Sequence, residues 1–117
     1  RSKRFYDPVM NALGYFCNVS DETDLGYGTE PSKDVRLCRL WVLKPAMKLP
    51  ATWGNGTMVS LTAESRAAVD AFYAAALSNG GIDEGAPGLR PYSPNFYACF
   101  VRDPDGNKLA AVCEKPE

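Results

Sequence analysis

A helical segment followed by several strand-like runs occurs twice in this chain, and no other feature restricts its possible folds as strongly. Phe5-Tyr6 and Phe72-Tyr73 each open the closing turns of an amphipathic segment, and Gly14 and Gly81 follow them at the same distance. The second helix is the clearer of the two. From Ser65 to Asn79, the residues Val69, Phe72, Tyr73, Ala76 and Leu77 recur at the i, i+3, i+4, i+7, i+8 spacing of one apolar stripe. Ser65 is placed to cap its first turn, and Gly80-Gly81 to stop its last. In the first helix Phe5, Val9 and Leu13 share a face, with Ser2 as cap and Gly14 as stop. Pro8 has no amide hydrogen to donate and predicts a kink or a tightened first turn.

Strand-like runs surround these helices at Tyr15 to Val19, Leu37 to Leu43, Thr57 to Leu61, Phe96 to Arg102 and Lys108 to Glu114. The segment Asp103-Pro104-Asp105-Gly106-Asn107 joins the last two and predicts a hairpin. Asp21 to Lys33 and Pro45 to Asn55 are rich in Gly, Pro and polar residues and read as loops, the first with a short strand around Leu25 to Gly28. The strand before the second helix has no counterpart before the first, because the equivalent of Met58 would lie upstream of Arg1. The expected organisation is an N-terminal module, residues 1–55, lacking its first strand, and a C-terminal module, residues 56–117, together forming one domain.

Composition narrows the chemistry. With 45 % apolar and 23 % charged residues in 117, the chain has the make-up of a globular domain. A net charge of −1 gives no field for neutralising phosphates, so no nucleic-acid partner is expected. No run approaches the ~18 apolar residues of a membrane span, and no signal pattern opens the sequence, so the expectation is a cytoplasmic protein with no membrane partner. There is no histidine, which rules out Ser-His-Asp and Cys-His catalysis within the chain and removes the commonest metal ligand. Cys17, Cys38, Cys99 and Cys113 lack C-x-x-C spacing and read as buried reduced thiols.

An ordered series runs through the second half: Gly56-Thr57-Met58-Val59-Ser60-Leu61, Ser65 to Tyr73, Gly80-Gly81, Gly85-Ala86-Pro87-Gly88-Leu89-Arg90-Pro91, Phe96 to Phe100, and Asp103 to Asn107. Their order and spacing resemble the C-terminal module of the vicinal-oxygen-chelate superfamily, which includes glyoxalases, bleomycin-resistance proteins and extradiol dioxygenases. Ser2-Lys3-Arg4-Phe5-Tyr6 and Ala12-Leu13-Gly14-Tyr15 resemble the superfamily's first helix and its exit. The resemblance implies an α+β fold of paired βαβββ modules, with curved mixed sheets around a cavity and helices outside. It also implies a homodimer, and often a divalent metal held by His or Glu. Here Met58 stands where that pattern has a histidine and Ala110 where it has a glutamate. Glu114 lies about 13 Å along the strand from Ala110 at ~3.3 Å per residue, too far to replace it. No cofactor is therefore expected, and a divalent metal only with ligands from outside this chain segment.

The candidate ligand-binding residues are Met58, Ser60, Arg90, Tyr97, Phe100 and Ala110. Met58 and Ser60 share one strand face, where Met58 either fills the core or lines a ligand cavity. Phe100 and Ala110 oppose each other across the final hairpin on the cavity face, and Leu109, Ala111 and Cys113 pack under the helix. Arg90 either grips an anionic ligand or makes a surface ion pair. Tyr92, Tyr97 and Trp41 are available for stacking or hydrogen bonding, and Trp53 for closing over a cavity. The expected function is binding of a small organic molecule in a mainly apolar cavity with a degraded metal site. Two alternatives follow from the resemblance: a metal-dependent glyoxalase-like lyase or dioxygenase-like enzyme, and a dimeric antibiotic-sequestering resistance protein.

Overall fold

Both helices form where the apolar stripes lie, and both stop in the same way. A computed structural model describes residues 1–117. Helix α1 spans Ser2–Ala12 and α2 spans Arg66–Ser78. At the end of α1 the Tyr15 amide donates to the Met10 carbonyl at 3.0 Å, and at the end of α2 the Gly81 amide donates to the Ala76 carbonyl at 2.8 Å. Each bond spans a glycine in the left-handed conformation, Gly14 at φ 85° and Gly80 at φ 95°. These are Schellman stops, which only glycine adopts at low cost. Gly14 therefore corresponds to Gly80, not to Gly81 as the Phe-Tyr pairs suggest. Gly81 has a different duty: a Cβ there would lie 2.7 Å from the Phe5 ring, so its bareness lets α1 pack against the end of α2.

The helix starts differ. Ser65 accepts from the Ala68 amide at 3.0 Å, as expected of a cap. Ser2 does not cap α1; it lies inside the helix, Arg1 takes the cap position without a side-chain bond, and the Ser2 hydroxyl reaches Asp105 at 3.5 Å. Helix α1 continues through Pro8 to Ala12, with the Arg4 carbonyl deprived of its helical donor.

The strands form two sheets. Strands β1 (Phe16–Ser20), β2 (Asp24–Gly28) and β3 (Cys38–Leu43) make an antiparallel sheet in that order, with a 3₁₀ turn at Val35–Leu37 leading into β3. Strands β4 (Met58–Thr62), β5 (Ile82–Leu89), β6 (Tyr97–Arg102) and β7 (Lys108–Cys113) make a mixed sheet ordered β4-β7-β6-β5, in which β4 runs parallel to β7. The first sheet holds no counterpart of β4. Sequence reading missed β5. Its Gly85, Pro87 and Gly88 suit a strand poorly, and it survives as an edge strand paired irregularly with β6 alone.

One core joins the halves. Phe5, Val9 and Met10 of α1 and Val69, Phe72 and Ala76 of α2 meet Tyr27, Cys99, Val101, Leu109, Ala111 and Cys113 on the inner faces of the sheets. A buried polar seam crosses it. The Tyr6 hydroxyl donates to the Asp103 carboxylate at 2.6 Å, and Asp103, only 2 % exposed, also accepts from the amides of Asp105 and Asn107 and the Asn107 side chain. Asp103 thus closes the β6–β7 hairpin and ties it to α1. Burial and this bond push the Tyr6 hydroxyl far above its ordinary ionisation range. The four cysteines are unpaired; Cys99 and Cys113 are buried, whereas Cys17 and Cys38 are only half-buried. Burial pushes the Cys99 thiol up to about 11.

Candidate functional site

Strand alternation sends successive side chains of the four-stranded sheet to opposite faces. The inner face, with Cys99, Val101, Leu109, Ala111 and Cys113, lies under α2. The outer face carries Ala98 and Phe100 from β6, Lys108 and Ala110 from β7, and Met58 and Ser60 from β4. The register fixes this grouping: Phe100 pairs with Ala110, Met58 with Lys108, and Ser60 with Ala110. Five of the candidates are brought to one side of the molecule. Met58 is 45 % exposed and stands outside the core cluster, which removes it as a core filler.

Arg90 reaches the same face from the end of β5. Its Nη2 donates to the Ala86 carbonyl at 2.8 Å, and its guanidinium carbon lies 5.5 Å from the centre of the Phe100 ring. No carboxylate pairs with it, so the surface ion pair is not formed. Glycines prepare its bed. A Cβ at Gly88 would fall 3.1 Å from Nη1, and one at Gly85 3.3 Å from Nη2 and 3.0 Å from the Phe100 ring. The residues that weaken β5 as a strand make room for Arg90. Lys108, which sequence reading passed over, places Nζ 5.5 Å from the same ring centre and also lacks an acidic partner. Its position two residues before Ala110 was the available signal.

Tyr97 does not share the outer face with the other candidates. It lies an odd number of residues from Phe100 and faces α2, where its hydroxyl donates to Asp70 at 2.6 Å and its ring receives the Arg66 guanidinium at 5.3 Å. The bond to Asp70 raises its ionisation above the usual tyrosine range. Trp53 packs against the β6–β7 hairpin beside Gly106, with the Arg102 guanidinium 5.2 Å from its ring. Trp41 lies across Gly26 on the first sheet, and Tyr92 stacks edge-on with Phe96 at 5.2 Å.

The expected enclosed cavity is not what one chain builds. None of the larger concavities is lined by Met58, Ser60, Arg90, Phe100 or Ala110. The hollow between the sheets, about 320 Å³, runs along the unpaired edges of β3 and β4 and is lined by Leu40, Val42, Val59 and Leu109. The outer face is open because no second layer covers it.

Its donor set does not fit a divalent cation. Met58 offers a thioether, Ala110 offers nothing and Ser60 a neutral hydroxyl, while Lys108 brings a positive charge directly beside Met58. Nowhere in the chain do three His, Cys, Asp or Glu side chains converge.

Comparison with solved structures accords with this architecture. A glyoxalase/bleomycin resistance protein from Albidiferax ferrireducens is 35 % identical, with a TM-score of 0.81 over 98 % of this chain and 88 % of that one. The chain belongs to the glyoxalase/bleomycin resistance protein/dioxygenase superfamily. Other members share the fold at lower identity. A glyoxalase-related enzyme from Fulvimarina pelagi superposes with a TM-score of 0.70 at 15 % identity, covering 96 % of this chain and 77 % of that one. A superfamily enzyme from Burkholderia phytofirmans gives 0.61 at 18 %, covering 95 % and 86 %. No family model matches the sequence, and a comparison with curated proteins returned none. No helix of this superfamily member is long and apolar enough to cross a membrane.

Proposed function

We propose that this protein binds a small organic molecule on the outer face of its four-stranded sheet, using side chains alone and no chelated metal. The observation that carries this reading is the grouping, in register, of exposed Met58 and half-buried Phe100 above a floor formed by buried Ala110, with Ser60 and Arg90 as the polar groups that would orient a ligand. Binding surfaces are characteristically apolar with a few placed polar groups. A second copy of the chain would supply the missing roof and turn the open face into a cavity, which is the role assigned here to a homodimer. Antibiotic sequestration is the weaker reading, because Arg90 and Lys108 would repel a cationic drug.

The test is a titration with a small neutral aromatic amide such as benzamide, followed by nuclear magnetic resonance of the methyl groups. The largest shift is expected at Met58, which is 45 % exposed, with Leu109 and Ala111 on the inner face unmoved. Shifts confined to the hollow between the sheets, at Leu40, Val42 and Val59, would place the ligand elsewhere and defeat the proposal.

A further inference from the structure

We infer that the natural ligand of this face is an organic anion, a carboxylate on a flat apolar body, whose charged end sits between Arg90 and Lys108 beside Phe100. This rests on the outer face being the binding surface. Two cations converge on one phenyl ring at 5.5 Å each. Like charges brought to one place repel, and here the ring quadrupole and the Ala86 carbonyl are the partners that offset this. Six cations are paired with acids, Arg1, Lys3, Arg36, Arg66, Arg102 and Lys115. Arg90 and Lys108 are among those that are not, and they are the two that meet on one aromatic ring. Glu84 of β5 is engaged by Arg102 at 2.5 Å, and Glu114 accepts from the Ser93 hydroxyl at 3.2 Å.

The arginine is also held ready. Its fork is laid back across β5 over Gly85 and Gly88, with a single side-chain hydrogen bond, so its remaining N–H groups are free for a ligand. A fixed guanidinium matches the two oxygens of a carboxylate, and a lysine beside it adds charge without further geometric demand. Beside the two cations the accessible part of the face is apolar, Met58 at 45 % exposed and the half-buried Phe100 ring, which suits the apolar body of a ligand. The apolar neighbours Met58 and Phe100 favour a carboxylate carried on an apolar body over inorganic phosphate, which has no apolar part to place against them.

The test compares benzoate, benzamide and inorganic phosphate on the same chain, read from the Met58 and Ala110 methyl resonances and the Phe100 ring. Benzoate is expected to bind at least about tenfold more tightly than benzamide, the discrimination expected of a charge-assisted contact, and to weaken as salt rises. Arg90→Met and Lys108→Met should each weaken benzoate by about tenfold and benzamide by clearly less, so that the preference for benzoate collapses. Arg90→Lys should restore only part of the loss, because it keeps the charge without the fork. Equal binding of benzoate and benzamide would overturn the anion assignment while leaving the binding face intact. Phosphate binding more tightly than benzoate would overturn the choice of carboxylate. No shift with any of the three would remove the face and the anion together. If Arg90→Met does not fold, Lys108→Met alone decides.

Discussion

The two faces of one sheet are built from the same strands to opposite ends. On the inner face Cys99, Val101, Leu109, Ala111 and Cys113 are nearly or wholly buried beneath α2, and the buried Tyr6 hydroxyl is satisfied by Asp103. On the outer face, one residue away along each strand, Met58 is 45 % exposed, Phe100 is only half-buried, and two cations stand without acidic partners. The inner face is explained by folding. The outer face gains nothing from exposing thioether and phenyl groups to water, so its composition answers to something other than this chain's own stability.

Substitutions should separate the faces by size of effect. Phe72→Ala, removing a wholly buried ring between α2 and the sheet, should cost about 3–5 kcal/mol in chemical denaturation. A cost below about 1 kcal/mol would mean that the inner face is not the core. Tyr6→Phe should cost about 1–3 kcal/mol, because it takes a donor from buried Asp103. It should also change the pH response. The folded-state ionisation of Tyr6 is raised, so its contribution is full below the ordinary value of 10.0 and is lost as pH climbs above it. Wild-type stability should therefore fall at alkaline pH, and more shallowly in Tyr6→Phe. Met58→Ala should have the smallest effect, under about 1 kcal/mol, because a half-exposed side chain gives up little burial. A cost like that of Phe72→Ala would erase the distinction between the faces.

What was legible in the sequence follows the range of the forces involved. Helix α2, its Ser65 cap and the Asp103 to Asn107 hairpin rest on local periodicity and turn chemistry and form as expected, with Val69, Phe72 and Ala76 of the stripe buried and Leu77 left 41 % exposed at the helix end. The opposition of Phe100 and Ala110 follows from that hairpin and is observed. Strand β5 was hidden because Gly85 and Gly88 are there for the approach of Arg90 and Phe100, a tertiary demand that reads locally as a loop. The repeat was misaligned by one residue because the Phe-Tyr pairs drew attention from the positive-φ glycines that end each helix. Tyr97 and Lys108 show a different effect, the sheet face a residue takes. Simple alternation along β6 and β7 puts Tyr97 under α2 and Lys108 beside Ala110, and aromatic character was weighed ahead of that parity. The openness of the face was beyond the sequence, since it depends on how the two sheets are set apart.

The claim on which the rest depends is that the outer face works without a chelated cation, with Met58 and Ala110 in the places of metal ligands and Lys108 beside them. Calorimetric titration with Mn, Ni, Zn and ferrous ions addresses it directly. No stoichiometric heat is expected from any of them; one-to-one binding at micromolar affinity, abolished by altering residues of the outer face, would contradict it.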